Sequence, residues 1–223
     1  MSKQRICELI AVLPALNEAG SIANVVDKLK AYGDIVVVDD GSTDGTGDLA
    51  LAAGGFVVSH SVNRGYEQAL ESGLLWAAAQ GYRYAITLDA DGQHSASAIA
   101  LFARELEEGA DIVVGVRDRK QRWAETFFSL ISKRLWKLDD PLCGMKGYRL
   151  DLIRAAGRFD TYSSVGTEFC IRAARSGSRI HQIEVSTSPR IGASRFGGGL
   201  RANLKIVRAL WLGIIRAKTL DYT

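Results

Sequence analysis

Proline is scarce, with 3 residues in a chain of 223. Together with only 23 glycines, that excludes a collagen-like chain and argues against a disordered Pro/Gly-rich one. Cys7, Cys143 and Cys170 are widely spaced, and no C-x-x-C pair occurs. A zinc site or dithiol redox motif is therefore not expected. Each thiol reads as a small buried hydrophobe in a reducing compartment. Long apolar runs are missing too. The stretch from Ala209 to Ile215 falls far short of the roughly 20 residues that span a bilayer. Met1-Ser2-Lys3-Gln4-Arg5 leads into an apolar run without a signal-peptide pattern. These absences lead us to expect a cytoplasmic protein, peripheral at the inner face of the cytoplasmic membrane if it meets a membrane at all. Three motifs are also lacking. No Gly-x-Gly-x-x-Gly follows the first apolar run, which weakens a dinucleotide-binding reading. No Gly-x-x-x-x-Gly-Lys-Ser/Thr occurs, so this is not a P-loop enzyme, and no Gly-x-Ser-x-Gly elbow marks a hydrolase.

What is present is organised. A chain of this length can bury about 70% of its unfolded surface without a disulfide or metal staple. The net charge is only +3, yet residues 1–114 hold 7 Lys/Arg against 16 Asp/Glu, and residues 115–223 hold 21 against 9. The basic half suggests an anionic partner. Short apolar runs at Ile6–Leu13, Ile35–Val38, 55–59, Tyr84–Leu88 and Asp111–Val116 read as strands. They alternate with helical spacing over residues 20–32, 44–53, 64–80 and 95–108, the first with Ser21 as a cap. The pattern predicts an α/β fold with a mainly parallel central sheet and helices on both faces. Beyond residue 120 we expect helices over 121–138, 150–157, 166–176 and 200–217, a short strand within 140–149 and another over 179–185.

Right-handed crossovers bring strand C-terminal ends to one edge, where ligands bind in such folds. Four polar clusters fall there: residues 14–18, 39–45, 89–94 and 117–119. Asp89-x-Asp91 offers hard oxygen ligands suited to Mg²⁺ or Mn²⁺, and Gln93 could add a carbonyl oxygen. Asp39 and Asp40 could accept hydrogen bonds from a nucleobase or ribose, or merely cap the next helix. In the last helix Arg201, Lys205, Arg208 and Arg216 share a narrow arc beside a broad apolar surface that includes Trp211. A basic amphipathic helix with tryptophan suits an anionic membrane interface. Such a face could instead pack on the sheet or in a homo-oligomer. The acidic rim and the lack of a binding motif argue against nucleic acid as a partner.

The ordered motifs resemble a family-2 glycosyltransferase of the GT-A (nucleotide-diphospho-sugar transferase) fold, on the polyprenyl-phosphate, dolichyl-phosphate mannose synthase-like branch. They are Val12-Leu13-Pro14-Ala15-Leu16-Asn17-Glu18, Val37-Val38-Asp39-Asp40-Gly41-Ser42-Thr43-Asp44-Gly45-Thr46 and Asn63-Arg64-Gly65. Leu88-Asp89-Ala90-Asp91-Gly92-Gln93-His94, Gly115-Val116-Arg117 and Asp140–Arg149 follow in order. Gly166-Thr167-Glu168 and Arg190–Gly197 complete the set.

The resemblance implies a GT-A domain over residues 1–199, with a donor-binding half at 1–117 and an acceptor-binding half at 118–199, followed by a basic amphipathic helix over 200–223. Pro14, Glu18 and Asp40 would hold the nucleobase, with Asp39 close by. Asp89 would sit near ribose and metal, and Asp91 and Gln93 would ligate the cation. Arg117 would meet a phosphate, and Arg190, Ser194 and Arg195 would close over phosphates. Arg195 stands where the family usually has Lys, which keeps the charge and adds forked hydrogen bonding. Leu16 stands where an aromatic is common, so stacking on the base is not implied. The implied reaction is metal-dependent, inverting transfer of a sugar from a nucleotide-sugar donor to a polyprenyl phosphate or other lipid-linked acceptor. A glycan hydroxyl is the alternative acceptor. It would require a general base, for which Asp140 and Glu168 are the candidates. A non-catalytic nucleotide-sugar-binding module is the alternative from another class.

Overall fold

The computed structural model describes residues 8–90, 98–120, 122–156, 159, 166–186 and 200–216. The chain runs β1 (Leu9–Ala15), α1 (Ile22–Leu29), β2 (Asp34–Asp39), α2 (Thr46–Ala52), β3 (Phe56–Ser59), α3 (Tyr66–Ala79) and β4 (Tyr84–Thr87). It continues α4 (Ala98–Glu107), β5 (Ile112–Arg117), α5 (Trp123–Trp136), β6 (Lys146–Arg149), α6 (Leu150–Ala156), α7 (Thr167–Arg175), β7 (Ile180–Val185) and α8 (Leu200–Arg216). The sheet order is β3-β2-β1-β4-β6-β5-β7. All pairings among the described residues are parallel except those of β6, which is antiparallel to both β4 and β5.

The α/β expectation holds, and the physical reason is visible along β1. All seven of its residues are buried, as a strand covered on both faces requires. Leu9, Ala11, Leu13 and Ala15 join one core layer with Val25, Val26 and Leu29 of α1 and Phe102 and Leu106 of α4. Ile10 and Val12 point the other way, into a layer with Leu70 and Leu74 of α3, Phe128 of α5 and Leu210 of α8. Tyr148, Phe159 and Phe169 pack there with ring centroids 5.5–5.9 Å apart.

One close approach is compulsory. A Cβ on Gly73 of α3 would lie 2.4 Å from Val12 Cγ1 and 2.8 Å from Val38 Cγ2. Glycine lets α3 settle directly onto β1 and β2. Gly73→Ala should therefore destabilise the fold by about 1–3 kcal/mol, despite alanine's better helix propensity. A urea midpoint equal to that of the wild type would contradict it.

The reversed strand β6 shapes the functional edge. Lys146, its first residue, pairs with Thr87 at the C-terminal end of β4 and with Val114 in the middle of β5. The segment 140–145 is thereby lowered onto the rim beside those two strands. Ser21 departs from expectation in detail. It occupies the N-cap position of α1 but makes no capping bond. Its hydroxyl donates instead to Glu18 Oε2 at 2.9 Å and to the Ala90 carbonyl at 3.2 Å. It thus ties the end of β1 to the segment after β4.

Candidate active site

Two loops at the ends of β1 and β2 are laced together. Asn17 N–H donates to Ser42 Oγ at 2.9 Å, and Thr43 N–H to Asn17 Oδ1 at 3.0 Å. Glu18 N–H reaches Thr46 Oγ1 at 2.8 Å, and Ala19 N–H reaches Asp44 Oδ2 at 3.0 Å. Asn17 adopts φ 54°, the left-handed region Asn tolerates. The Asp44 carboxyl is held below its ordinary pKa, chiefly by the Thr46 hydroxyl. Pro14, within buried β1, pairs with Val38, and Ala15 pairs with Asp39.

Asp39 and Asp40 diverge. Asp39 Oδ1 accepts from Ser42 N–H at 2.9 Å. The side chain lines a cleft of about 450 Å³ with Ser42, Thr43, Gly47, Asp48 and Val57. A Cβ on Gly47 would come within 2.7 Å of Asp39 Oδ2, so glycine there leaves the carboxylate its place. Asp40 is 4% exposed. Its Oδ1 accepts from His60 Nδ1 at 2.6 Å and Arg64 N–H at 2.9 Å, and its Oδ2 from Gly65 N–H at 2.9 Å. The carboxylate expected to hold a nucleobase thus organises the loop before α3.

Asp89, just past β4, accepts from the Tyr66 hydroxyl at 2.8 Å through Oδ1. Its Oδ2 lies where a Cβ on Gly144 would approach to 2.9 Å. The missing side chain lets the segment ahead of β6 pack closely against the carboxylate. Among the described residues no group of three or more His, Cys, Asp or Glu could hold a metal. Asp91 and Gln93, expected to complete a cation site with Asp89, lie outside the described residues, as do Arg190, Ser194 and Arg195.

Arg117 ends β5 and meets Asp140 in a forked pair. Its Nε donates to Oδ2 at 2.7 Å and Nη2 to Oδ1 at 2.9 Å, while its backbone N–H adds a third bond at 3.2 Å. Glu125, in the first turn of α5, lies 3.5 Å from the Arg117 guanidinium and 3.0 Å from that of Arg122. All four side chains are at most 17% exposed. Burial alone would lower the Arg117 pKa, but the bonds and charge of Asp140, with Glu125, outweigh it and raise the value. The fixed guanidinium therefore stays charged at any working pH. Arg117 and Asp140, expected in separate roles, are partners, and the quartet with Glu125 and Arg122 is formally neutral.

Neighbouring bonds hold the 140–146 segment. Thr87 Oγ1 donates to the Gly144 carbonyl at 2.9 Å, and Thr167 Oγ1 to the Pro141 carbonyl at 2.8 Å. The ammonium of Lys146, fully buried, donates to the Cys143 carbonyl. Burial, then the Asp140 charge, pushes the Cys143 thiol up to about 11, so it is neutral and unreactive. Glu168 lies in the first turn of α7 and is 6% exposed, one residue from the Thr167 contact. Sequence reasoning did not single out Glu125, His60, Tyr66 or Lys146. Glu125 carried a signal, as an acid in the first turn of a basic aromatic helix.

Paired loops at parallel strand ends, a carboxylate after β4 and the Arg117–Asp140 pair gather at one edge of the sheet. The sequence model of Glycosyl transferase family 2 matches residues 10–154, and the chain belongs to that family. It is 29% identical over 218 residues to an undecaprenyl-phosphate mannosyltransferase of Micrococcus luteus, covering 86% of this chain and 88% of that one. It is 25% identical over 217 residues to a polyprenol monophosphomannose synthase of Mycolicibacterium smegmatis, covering 85% and 81%. The fold resembles glucosyl-3-phosphoglycerate synthase of Mycobacterium tuberculosis, solved with Mn²⁺, UDP-glucose and phosphoglyceric acid. The TM-score is 0.74 at 24% identity, over 93% of this chain and 80% of that one.

Proposed function

We propose that this glycosyltransferase moves a sugar, with inversion, from a nucleotide diphosphate donor to a polyprenyl phosphate at a membrane surface. One observation carries the choice of acceptor: Asp140 is buried and bound on both oxygens by Arg117. A hydroxyl acceptor needs a carboxylate able to take its proton. Both oxygens of Asp140 are taken up by Arg117, and Glu168 is buried. A phosphate acceptor is already ionised and needs no base. Its oxygen attacks the anomeric carbon from the face opposite the diphosphate, and the bonding electrons leave with the diphosphate.

Asp89, Asp91 and Gln93 would hold the divalent cation, which neutralises charge on the departing diphosphate. The hard oxygens of Asp89 suit such an ion. The Arg117 quartet is formally neutral, and two phosphates call for further positive charge. Arg190 and Arg195 are the residues we assign to it. Arg117 contributes a fixed hydrogen-bonding direction rather than net charge.

The surface supports a lipid-bound acceptor. Trp123, Phe127 and Leu130 form an exposed apolar stripe on α5, and Leu204, Val207 and Trp211 another on α8. The two helices pack together. Arg208 is exposed on the same helix as Trp211, which suits an anionic interface. No helix among the described residues is long and apolar enough to cross a membrane. The relatives named above for undecaprenyl phosphate and polyprenol substrates point the same way.

The test is incubation with a panel of nucleotide sugars, Mn²⁺ or Mg²⁺ and undecaprenyl phosphate in anionic vesicles. A lipid-linked sugar and co-sedimentation with the vesicles are expected. Turnover on a soluble glycan hydroxyl, with none on the lipid phosphate, would refute the acceptor assignment.

A further inference from the structure

His60 closes a chain of three side chains that the reaction described above does not use. It lies just after β3, its ring 6% exposed, between Asp40 of the β2 edge and Ser72 in the middle of α3. The contacts are 2.6 Å from Nδ1 to Asp40 Oδ1 and 3.0 Å from Nε2 to Ser72 Oγ. An ionised carboxylate only accepts, so Nδ1 carries the proton, and with a neutral ring the Ser72 hydroxyl donates to Nε2. Asp40 meanwhile receives the amides of Arg64 and Gly65, the two residues ahead of α3. A carboxylate is well placed there, taking up amides at the positive end of a helix.

The end of β2 is thereby fastened to α3 at two points, directly at its start and through the imidazole at Ser72. Gly41 makes the approach feasible. It sits at φ 79°, and a Cβ would lie 2.7 Å from Asn63 N. The side chain of Arg64 is left exposed on the organised loop.

We infer that His60 is a positioning residue for the nucleotide edge: it fixes the Asp40 carboxylate, and with it the Asn63-Arg64-Gly65 loop, in the form that receives a nucleoside diphosphate. This rests on the reading of the β1–β2 edge as the donor site. Without the imidazole, Asp40 loses one of three donors and its link to Ser72. The loop then samples other conformations, and binding must reorder it at a cost in affinity.

The test compares His60→Ala, His60→Gln and His60→Asn. The Asn amide nitrogen occupies roughly the place of Nδ1 and can still donate to Asp40, whereas Gln reaches toward the Nε2 position. Amide hydrogen exchange in the nucleotide-free protein is read at Arg64 and Gly65. Calorimetry with UDP, GDP, ADP and dTDP in Mn²⁺ follows. His60→Ala and His60→Gln should exchange faster at those two amides and bind the preferred diphosphate about tenfold more weakly. His60→Asn should recover most of both. Donor KM should rise with little change in kcat.

Wild-type exchange at Arg64 and Gly65 in His60→Ala, or affinity lost equally in all three variants, would overturn the inference. Failure of the wild type to bind any of the four nucleotides would instead strike the donor-site reading. The exchange measurement would still decide what His60 holds.

Discussion

Asp140→Ala is expected to cost about 3–5 kcal/mol of folding stability, the range seen when one partner of a buried ion pair is removed. The quartet holds two guanidiniums and two carboxylates in near-complete burial. Deleting Asp140 leaves Arg117 and Arg122 to share Glu125, one buried carboxylate facing two positive charges. Against its desolvation Arg117 then keeps only the 3.5 Å contact with Glu125, and three hydrogen bonds are lost at once. Asp140→Asn keeps the shape and one acceptor, so it should cost less than the alanine variant. Arg117→Lys should be nearly as damaging as the alanine variant, because an ammonium cannot span both oxygens of Asp140. Urea denaturation of the three variants gives the ranking, with the midpoint read alongside the slope. A loss under about 1 kcal/mol for Asp140→Ala, the scale of exposed pairs, would mean that water screens the pair. The same variant should lose transferase activity, because Arg117 would no longer have one orientation.

Much of the architecture was legible because it rests on local pattern. In β1, apolar residues on both phases of the alternation announce a strand covered on both faces, and it is one. Ile22, Val25, Val26 and Leu29 repeat at helical spacing, and all four are buried in α1. The expected last helix over 200–217 appears as Leu200–Arg216. What sequence pattern did not carry is direction and long-range register. Nothing in Lys146–Arg149 says that this strand runs backwards between β4 and β5. The reversal carries Asp140 to Arg117, 23 residues away. Individual residue types marked both as site candidates, but not their pairing. The Asp39–Asp40 pair was equally ambiguous, since adjacent carboxylates at a strand end point to opposite sides. Which of them enters the cleft and which turns to His60 depends on where residues 60–65 return, a tertiary fact. Ser21 was read correctly by position and wrongly by bond. Local rules favour a cap, but Glu18 and a carbonyl 69 residues away compete successfully for its hydroxyl.

Asp89→Ala is expected to lower turnover by about 10²–10³-fold or more, the scale on which preorganised charge stabilises a leaving group. It should also remove the dependence of nucleotide affinity on Mn²⁺. The Tyr66 hydroxyl supplies a control. It donates to Asp89 Oδ1 and orients the carboxylate without supplying an ionic oxygen of its own. Tyr66→Phe should therefore weaken the Mn²⁺ effect by much less than loss of the carboxylate does. Gly144→Ala approaches the same point from the other side. Its methyl would lie 2.9 Å from Asp89 Oδ2, closer than a real contact permits, so the carboxylate or the 140–145 segment must shift. No charge changes in that variant, yet it should lose activity and Mn²⁺ response in parallel. The measurements are turnover with the preferred donor, and diphosphate binding by calorimetry with Mn²⁺ and with EDTA. If Asp89→Ala bound Mn²⁺ and nucleoside diphosphate as tightly as the wild type, the cation could not rest on this carboxylate. If Gly144→Ala alone were silent, the close approach of Gly144 to Asp89 would not bear on the ion. The two variants together separate the role of the charge from that of the carboxylate's position.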